Sequence, residues 1–191
     1  MADVIVIGAG PAGLSAALFL AKSGRKTVVI DTGRSLIRRA NLRNYLGFPD
    51  GLPGNELLAR GRRQVTSFGG EIVDVKTFDV EKTDRGFVVH LEGRDISARA
   101  MILATAYGVE IAEKLGATLG RGAQAQAVRV VEVDKEGRTS VDGLWAAGVV
   151  AGTPVQSIVA AGDGGRVAVN LLSQLRGSPY VDHDVLASTR T

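Results

Sequence analysis

An uninterrupted apolar run at residues 4–7 and a second run, Thr27-Val28-Val29-Ile30, flank a stretch in which Leu14, Ala17, Leu18 and Ala21 recur at helical spacing. A short apolar run without alternation reads as a strand buried on both faces, so the first thirty residues predict a parallel strand–helix–strand unit. Beyond Asp31 the pattern turns basic and irregular over 34–43. It then passes through a turn-rich segment at 44–54 and resumes as a helix near Asn55. Residues 71–75 predict a strand, and 77–82 and 87–91 alternate about Thr83-Asp84-Arg85-Gly86, a good hairpin connection. Residues 98–104 form another apolar strand. The segment 109–126 is poorly periodic apart from a short helix over 111–115. Residues 128–133 alternate, 143–148 predict a last buried strand, and 155–175 a long apolar helix. The chain thus leaves a parallel sheet for a β excursion and returns to it.

Between the first strand and helix stands Gly8-Ala9-Gly10-Pro11-Ala12-Gly13, and the second strand ends on the acidic Asp31. Strand, glycines, helix and an acidic residue about twenty positions on form the dinucleotide-binding fingerprint in its proper context. Gly8 permits the tight turn, Gly10 lets backbone approach a pyrophosphate, and Gly13 lets the helix lie close to the sheet. Pro11, followed by Ala12, suits the first turn of the helix, where the missing N–H of proline costs nothing, and Gly24 suits its end. The free N–H groups and positive end of this helix then face a diphosphate. Asp31 can accept hydrogen bonds from both hydroxyls of an adenosine ribose and would repel a 2′-phosphate, which points to FAD or NAD over NADP. The expected fold class is α/β: a Rossmann-like FAD/NAD(P)-binding fold, its central parallel sheet flanked by helices, with an inserted antiparallel β-meander.

Composition narrows the chemistry. The 191 residues suit one well-buried domain, with no Pro/Ser-rich linker to divide them, and the tail from about 182 to 191 is expected to fray. The chain contains no cysteine, so it holds no disulfide, thiolate metal site or dithiol relay of its own. Its two histidines, His90 and His183, read as exposed or hydrogen-bonded side chains, and no metal site is expected. Chemistry here must come from a bound cofactor. A net charge of +3, without an aromatic-interleaved basic motif, argues against nucleic acid. The apolar runs are too short for a membrane span and no signal-peptide pattern opens the chain, so a cytoplasmic location is expected.

The order of motifs resembles the FAD-binding domain of the thioredoxin reductase family, within the pyridine nucleotide-disulfide oxidoreductases. The resemblance rests on the opening glycine motif, on Asn44-Tyr45-Leu46-Gly47-Phe48-Pro49 with Gly54, on Ile102-Leu103-Ala104-Thr105-Ala106, on Gly143-Leu144-Trp145-Ala146-Ala147-Gly148, and on residues 156–165. More narrowly, the chain is similar to short bacterial members that consist of this domain alone. The resemblance implies that Asp31 binds the ribose, that Val75 offers backbone groups to the adenine, and that Thr105 and Ala106 border the diphosphate and ribityl chain. It also implies that Asn44 approaches the isoalloxazine. Gln156 and Ser157 would open a helix whose N-terminus stabilises the negative charge of the reduced ring.

Two departures bear on function. In two-domain members a pyridine-nucleotide domain with a Cys-x-x-Cys pair lies between the strands that end here at Thr105 and begin at Gly143; here that interval, 106–142, carries neither a second fingerprint nor a cysteine. Val149 stands after Gly148 where the family usually has an aspartate for the ribityl and phosphate part of FAD. Two functions therefore stay open. One is an FAD-dependent oxidoreductase exchanging electrons with NAD(P)H or a redox partner protein. The other is a non-catalytic dinucleotide-binding module or subunit of a larger redox complex. Arg34, Arg38, Arg39 and Arg43, with Arg60, Arg62 and Arg63, read either as a solvated surface or as a dock for an acidic partner or NADPH phosphates. A homodimer is expected, because loss of the inserted domain would expose apolar surface.

Overall fold

The computed structural model describes residues 1–76, 78–123 and 128–185. In chain order its elements are β1 (Ala2–Ile7), α1 (Pro11–Lys22), β2 (Thr27–Asp31), a 3₁₀ turn (Leu36–Arg39), β3 (Asn41–Leu42), β4 (Leu52–Pro53) and α2 (Gly54–Ser67). These are followed by β5 (Glu71–Asp74), β6 (Asp79–Thr83), β7 (Gly86–Leu91), β8 (Arg94–Leu103), α3 (Glu110–Lys114), β9 (Leu119–Arg121) and β10 (Arg129–Val131). The chain then runs through β11 (Leu144–Ala146), a second 3₁₀ turn (Gly148–Ala151) and α4 (Ser157–Arg176).

A seven-stranded sheet organises the molecule. β5, β2, β1 and β8 lie side by side in parallel, in that order. The far edge of β8 serves two neighbours in succession. Residues 94–98 pair antiparallel with β7, and 101–103 pair parallel with β11. β6, β7 and the first half of β8 form the expected antiparallel meander. β9 and β10 form a separate two-stranded ribbon, and β3 and β4 another.

Both faces of the parallel strands are covered, which is why the apolar runs do not alternate. Val4 and Val6 of β1, with Val29, Ala100, Ile102 and Trp145, meet Leu14, Ala17 and Leu20 of α1, Leu58 of α2 and Val167, Ala168 and Leu171 of α4. On the opposite face, Ile5 and Ile7, with Val28, Ile30, Met101 and Leu103, meet Phe87 and Val89 of the meander, Ala112 of α3 and Val131 of the ribbon. α1 lies unusually close to its surroundings. A Cβ on Gly13 would overlap the Gly8 carbonyl, and one on Gly164 of α4 would overlap the carbonyl of Ala12. The helix ends as expected: Gly24 adopts φ +82°, its N–H donates to Ala21, and that of Arg25 donates to Leu20.

Several boundaries differ from expectation for local reasons. β8 begins four residues before 98, because Arg94 to Ser97 form the polar, half-exposed arm of a hairpin that carries no apolar run. α4 begins at Ser157, not 155, since Gln156 keeps an extended ψ of 129° after Pro154. β9 has no alternation to announce it, and is defined by pairing with β10. The strand expected at 77–82 is seen from Asp79, and Thr77 and the end of the segment 109–126 lie outside the described residues. Of the tail expected to fray, Asp182 and Asp184 each sit 2.7 Å from Lys22 Nζ on α1, while residues 186–191 lie outside the described residues.

Candidate dinucleotide-binding site

The strand order reverses direction between β1 and β8: β1 leads outward to β2, and the chain later returns to the other side of β1. In open α/β sheets the crevice at such a switch point, beyond the carboxyl ends of the strands, is where ligands bind. A groove of about 400 Å³ lies there. Gly8 to Ala12 form its floor, Asp31 and Thr32 one end, and Ala104 to Ala106 a wall, with Val149 and Val155 closing the far side.

Each wall has a local cause. Gly8 holds φ +103°, and a Cβ there would lie 2.5 Å from the Ala104 carbonyl oxygen, so the first turn tolerates no side chain. A Cβ on Gly10 would meet the Ser35 hydroxyl at 3.5 Å and otherwise open space, which leaves backbone at the groove surface. The first N–H of α1 to find a carbonyl is that of Leu14, on Gly10; the Gly8 and Ala9 N–H groups are taken by Ile30 and Asp31, so Gly10 and Ala12 supply the unpaired donors of the groove floor. Ala106 adopts φ +55°, the one non-glycine residue with positive φ among the described residues. A tight loop holds it there: the Gly108 N–H donates to the Thr105 carbonyl at 3.0 Å, and the Thr105 hydroxyl donates to the Gly108 carbonyl at 2.5 Å. Backbone strain of this kind clusters at ligand-binding surfaces.

A second recess, of about 570 Å³, adjoins the groove at Ala9, Asp31, Thr32 and Ser35. Asp31 is almost fully buried. Its Oδ1 accepts the Ala9 N–H at 3.2 Å, and its Oδ2 lies 2.9 Å from Nη1 of Arg62. Nη2 of the same guanidinium lies 2.5 Å from both carboxylate oxygens of Asp74, so one arginine ties the ends of β2 and β5. Pairing with Arg62 offsets the negative charge that Asp31 would otherwise turn toward a ribose. Along the sequence Arg62 belongs to a diffuse basic cluster. Its position, two turns into α2, gave no signal of this contact.

The predicted residues divide clearly. Gly8, Gly10, Pro11, Ala12, Asp31, Thr105, Ala106 and Val149 line the groove, and Val75 lines the adjoining recess. Gly13 lies beneath the turn against Gly8, serving helix packing. Asn44, expected near a ring system, stands exposed on the turn between β3 and β4 and does not reach the groove. The turn holds it there by its neighbours, with Tyr45 edge-on to Phe48 and Arg60 stacked over Phe48. Gly148, Gln156 and Ser157 also lie outside the lining, although Val155 and Ala160 bring the first turn of α4 to its edge.

Val149 is buried in a small apolar cluster with Val130 of the ribbon and Tyr107. The carboxylate at this end is instead Asp163, from α4. Its Oδ2 accepts the Gly148 N–H at 2.7 Å and the Thr153 hydroxyl at 2.8 Å, fixing the second 3₁₀ turn from behind, while its Oδ1 pairs with Arg166 at 2.8 Å. Asp163 thus shapes the backbone beside the groove without lining it. Among the described residues no cluster of acidic and histidine side chains could hold a metal, and no helix is long and apolar enough to cross a membrane.

Known proteins resemble this chain in sequence and in fold. The family pattern described as pyridine nucleotide-disulphide oxidoreductase matches residues 2–106, from β1 to the strained Ala106. The bifunctional thioredoxin reductase/thioredoxin of Mycobacterium leprae is 40% identical over 132 residues, covering 64% of this chain and 28% of that protein. The thioredoxin reductase of Aquifex aeolicus is 38% identical over 127 residues, covering 63% and 39%. The chain therefore spans less than half the length of these curated relatives. A thioredoxin reductase structure from Gloeobacter violaceus superposes with a TM-score of 0.77 at 22% identity, over 97% of this chain and 99% of that one. The atypical thioredoxin reductase of Desulfovibrio vulgaris Hildenborough gives 0.78 at 19% identity, over 93% and 99%. These two likenesses concern the fold, a mostly parallel sheet flanked by helices. The sequence match, which covers more than half of the chain and contains the glycine turn, Asp31 and the Thr105–Ala106 wall, places this chain in the pyridine nucleotide-disulphide oxidoreductase family.

Proposed function

We propose that the groove binds FAD in an extended pose, its adenosine end at Asp31 and its ring end toward Val149, and that the protein is a flavin-dependent oxidoreductase. The observation that carries this reading is the groove itself. A glycine turn with unpaired N–H groups lies between an acidic ribose partner and the first turn of α4, all at the switch point of the sheet. The side-chain-free surface at Gly10 fits a diphosphate. Bound flavin would supply reversible two-electron and hydride chemistry. The chain's own part is to hold the diphosphate at the Gly8–Ala12 turn, orient the ribose through Asp31, and exclude water with Phe78, Ile111 and Val155 at the wall.

The chain has no cysteine, so in this reading electrons leave the flavin directly for an acceptor, and NAD(P)H or a redox partner protein supplies them. A cytoplasmic homodimer is the working assembly. Val155 and Val159, about two-fifths exposed at the start of α4, are apolar surface for a symmetric contact. Light scattering that finds a monomer at micromolar concentration would remove that part.

The buried Val149 cluster favours one alternative, a non-catalytic dinucleotide-binding module or subunit, because valine offers no acceptor to a ribityl chain. The visible absorption spectrum of the protein as purified, and again after adding FAD and desalting, separates the two. A retained flavin band supports the oxidoreductase. A protein that stays colourless yet binds adenine dinucleotides supports the module.

A further inference from the structure

We infer that the recess beside Asp31 is a site for the 2′-phosphate of an adenine nucleotide, so that dinucleotides of the NADP(H) class compete with FAD for the groove. This rests on the adenine-dinucleotide reading above. A lone carboxylate at the end of the second strand excludes a 2′-phosphate by charge, and an arginine nearby admits one. Here the carboxylate is not alone. Arg62 spans Asp31 and Asp74, at 2.9 and 2.5 Å, and draws both acidic groups of the recess into one network.

Two further cations line the same recess from separate walls. Arg38 comes from the 3₁₀ turn that follows β2, and Lys76 lies just beyond β5. Neither has a carboxylate within ion-pairing distance among the described residues, and the Arg38 guanidinium makes a single long contact, 3.4 Å, to the Gly33 carbonyl. The recess therefore holds three cations against two carboxylates, and the unpaired pair is Arg38 and Lys76. A planar guanidinium with free donors and a mobile ammonium suit a phosphate dianion, the first by bidentate hydrogen bonds and the second as a point charge. The recess adjoins the groove, sharing Ala9, Asp31, Thr32 and Ser35 with it, so a nucleotide whose ribose meets Asp31 carries its 2′ position toward the recess. The unmodified 2′-hydroxyl of FAD leaves these two cations to solvent.

The test is isothermal titration of the full chain with ADP-ribose and with 2′-phospho-ADP-ribose, each with and without saturating FAD. The 2′-phosphorylated compound should bind more tightly by about threefold or more, with a steeper loss of affinity as salt rises, and FAD should abolish both signals. The double variant Arg38→Ala/Lys76→Ala should erase the preference while leaving ADP-ribose within about twofold of wild type, which also reports that the variant is folded. Equal or weaker binding of the 2′-phosphorylated compound overturns the inference, as does a preference that survives in the double variant or in saturating FAD. If FAD and ADP-ribose bind without a 2′-phosphate preference, this inference alone fails. If neither binds, the dinucleotide reading falls with it.

Discussion

Arg62 Nη1 lies 2.9 Å from Asp31 Oδ2, joining the third turn of α2 to the end of β2 at the mouth of the groove. The contact gives the carboxylate a fixed direction before any ligand arrives. Its other oxygen is held by the Ala9 N–H at 3.2 Å, so the glycine turn and the ribose partner form one rigid unit. A carboxylate offers about four acceptor sites, and these two bonds leave room for ribose hydroxyls.

Asp31→Ala should therefore weaken binding of ADP-ribose and FAD by about 1.5 to 3 kcal/mol, the worth of charge-assisted hydrogen bonds. Isothermal titration measures it directly. An affinity within twofold of wild type would mean that the ribose does not sit at Asp31.

Gly13→Ala should destabilise the fold itself. The added Cβ overlaps the Gly8 carbonyl, which is backbone and cannot swing away, so α1 must shift from the sheet. Overpacking of this kind costs about 1 to 3 kcal/mol and occasionally more. Urea unfolding should show a lower midpoint with an unchanged slope. A midpoint equal to that of wild type would show that the helix is not held as close as described.

How far the sequence disclosed all this depends on whether a residue acts through its neighbours along the chain or across space. The βαβ unit was fully legible, because Gly8, Gly13, Pro11 and Asp31 each answer a local demand of turn, packing, helix start or strand end. So were the meander, through the alternation of Phe87, Val89 and Leu91, and the wall at Thr105 and Ala106, through motif order. Arg62, Asp163 and Lys76 were not, since each meets its partners through tertiary folding from a segment whose own pattern is ordinary. Asn44 is the reverse case: its motif was recognisable, but it stands exposed on the turn between β3 and β4, outside the groove lining. β9, three residues with Leu119 as its one apolar side chain, lacked alternation, and pairing with β10 defines it.

Val149→Asp should have opposite effects on stability and on ligand binding. Val149 is 7% exposed beside Val130 and Tyr107, so a carboxylate placed there without partners should cost about 1 to 3 kcal/mol in the ligand-free protein. The same position borders the groove, where an acceptor would face the ribityl part of bound FAD. FAD should then bind more tightly to the variant than to wild type and raise its unfolding midpoint by more. Weaker FAD binding in the variant would mean that the second 3₁₀ turn is used differently from the proposed pose.

His90 gives the meander a pH dependence whose sign is fixed. A hydrogen bond donated by its Nδ1 to Asp95 at 3.0 Å raises its pKa above the ordinary 6.5, with attraction to Asp95 and to Glu81, 3.5 Å from Nε2, adding to the same direction against partial desolvation. A group whose pKa is higher in the folded state contributes stability that is fully present below its unfolded value and is lost as pH rises through its folded value. The contribution of His90 is therefore present at pH 5.5 and disappears on the alkaline side of its folded pKa. In NMR titration His90 should show a midpoint above 6.5, and Asp95→Asn should lower it. The stability advantage of wild type over His90→Asn should shrink between pH 5.5 and 8.5. A midpoint at or below the ordinary value would show that strands β6, β7 and β8 do not hold the three side chains together in solution.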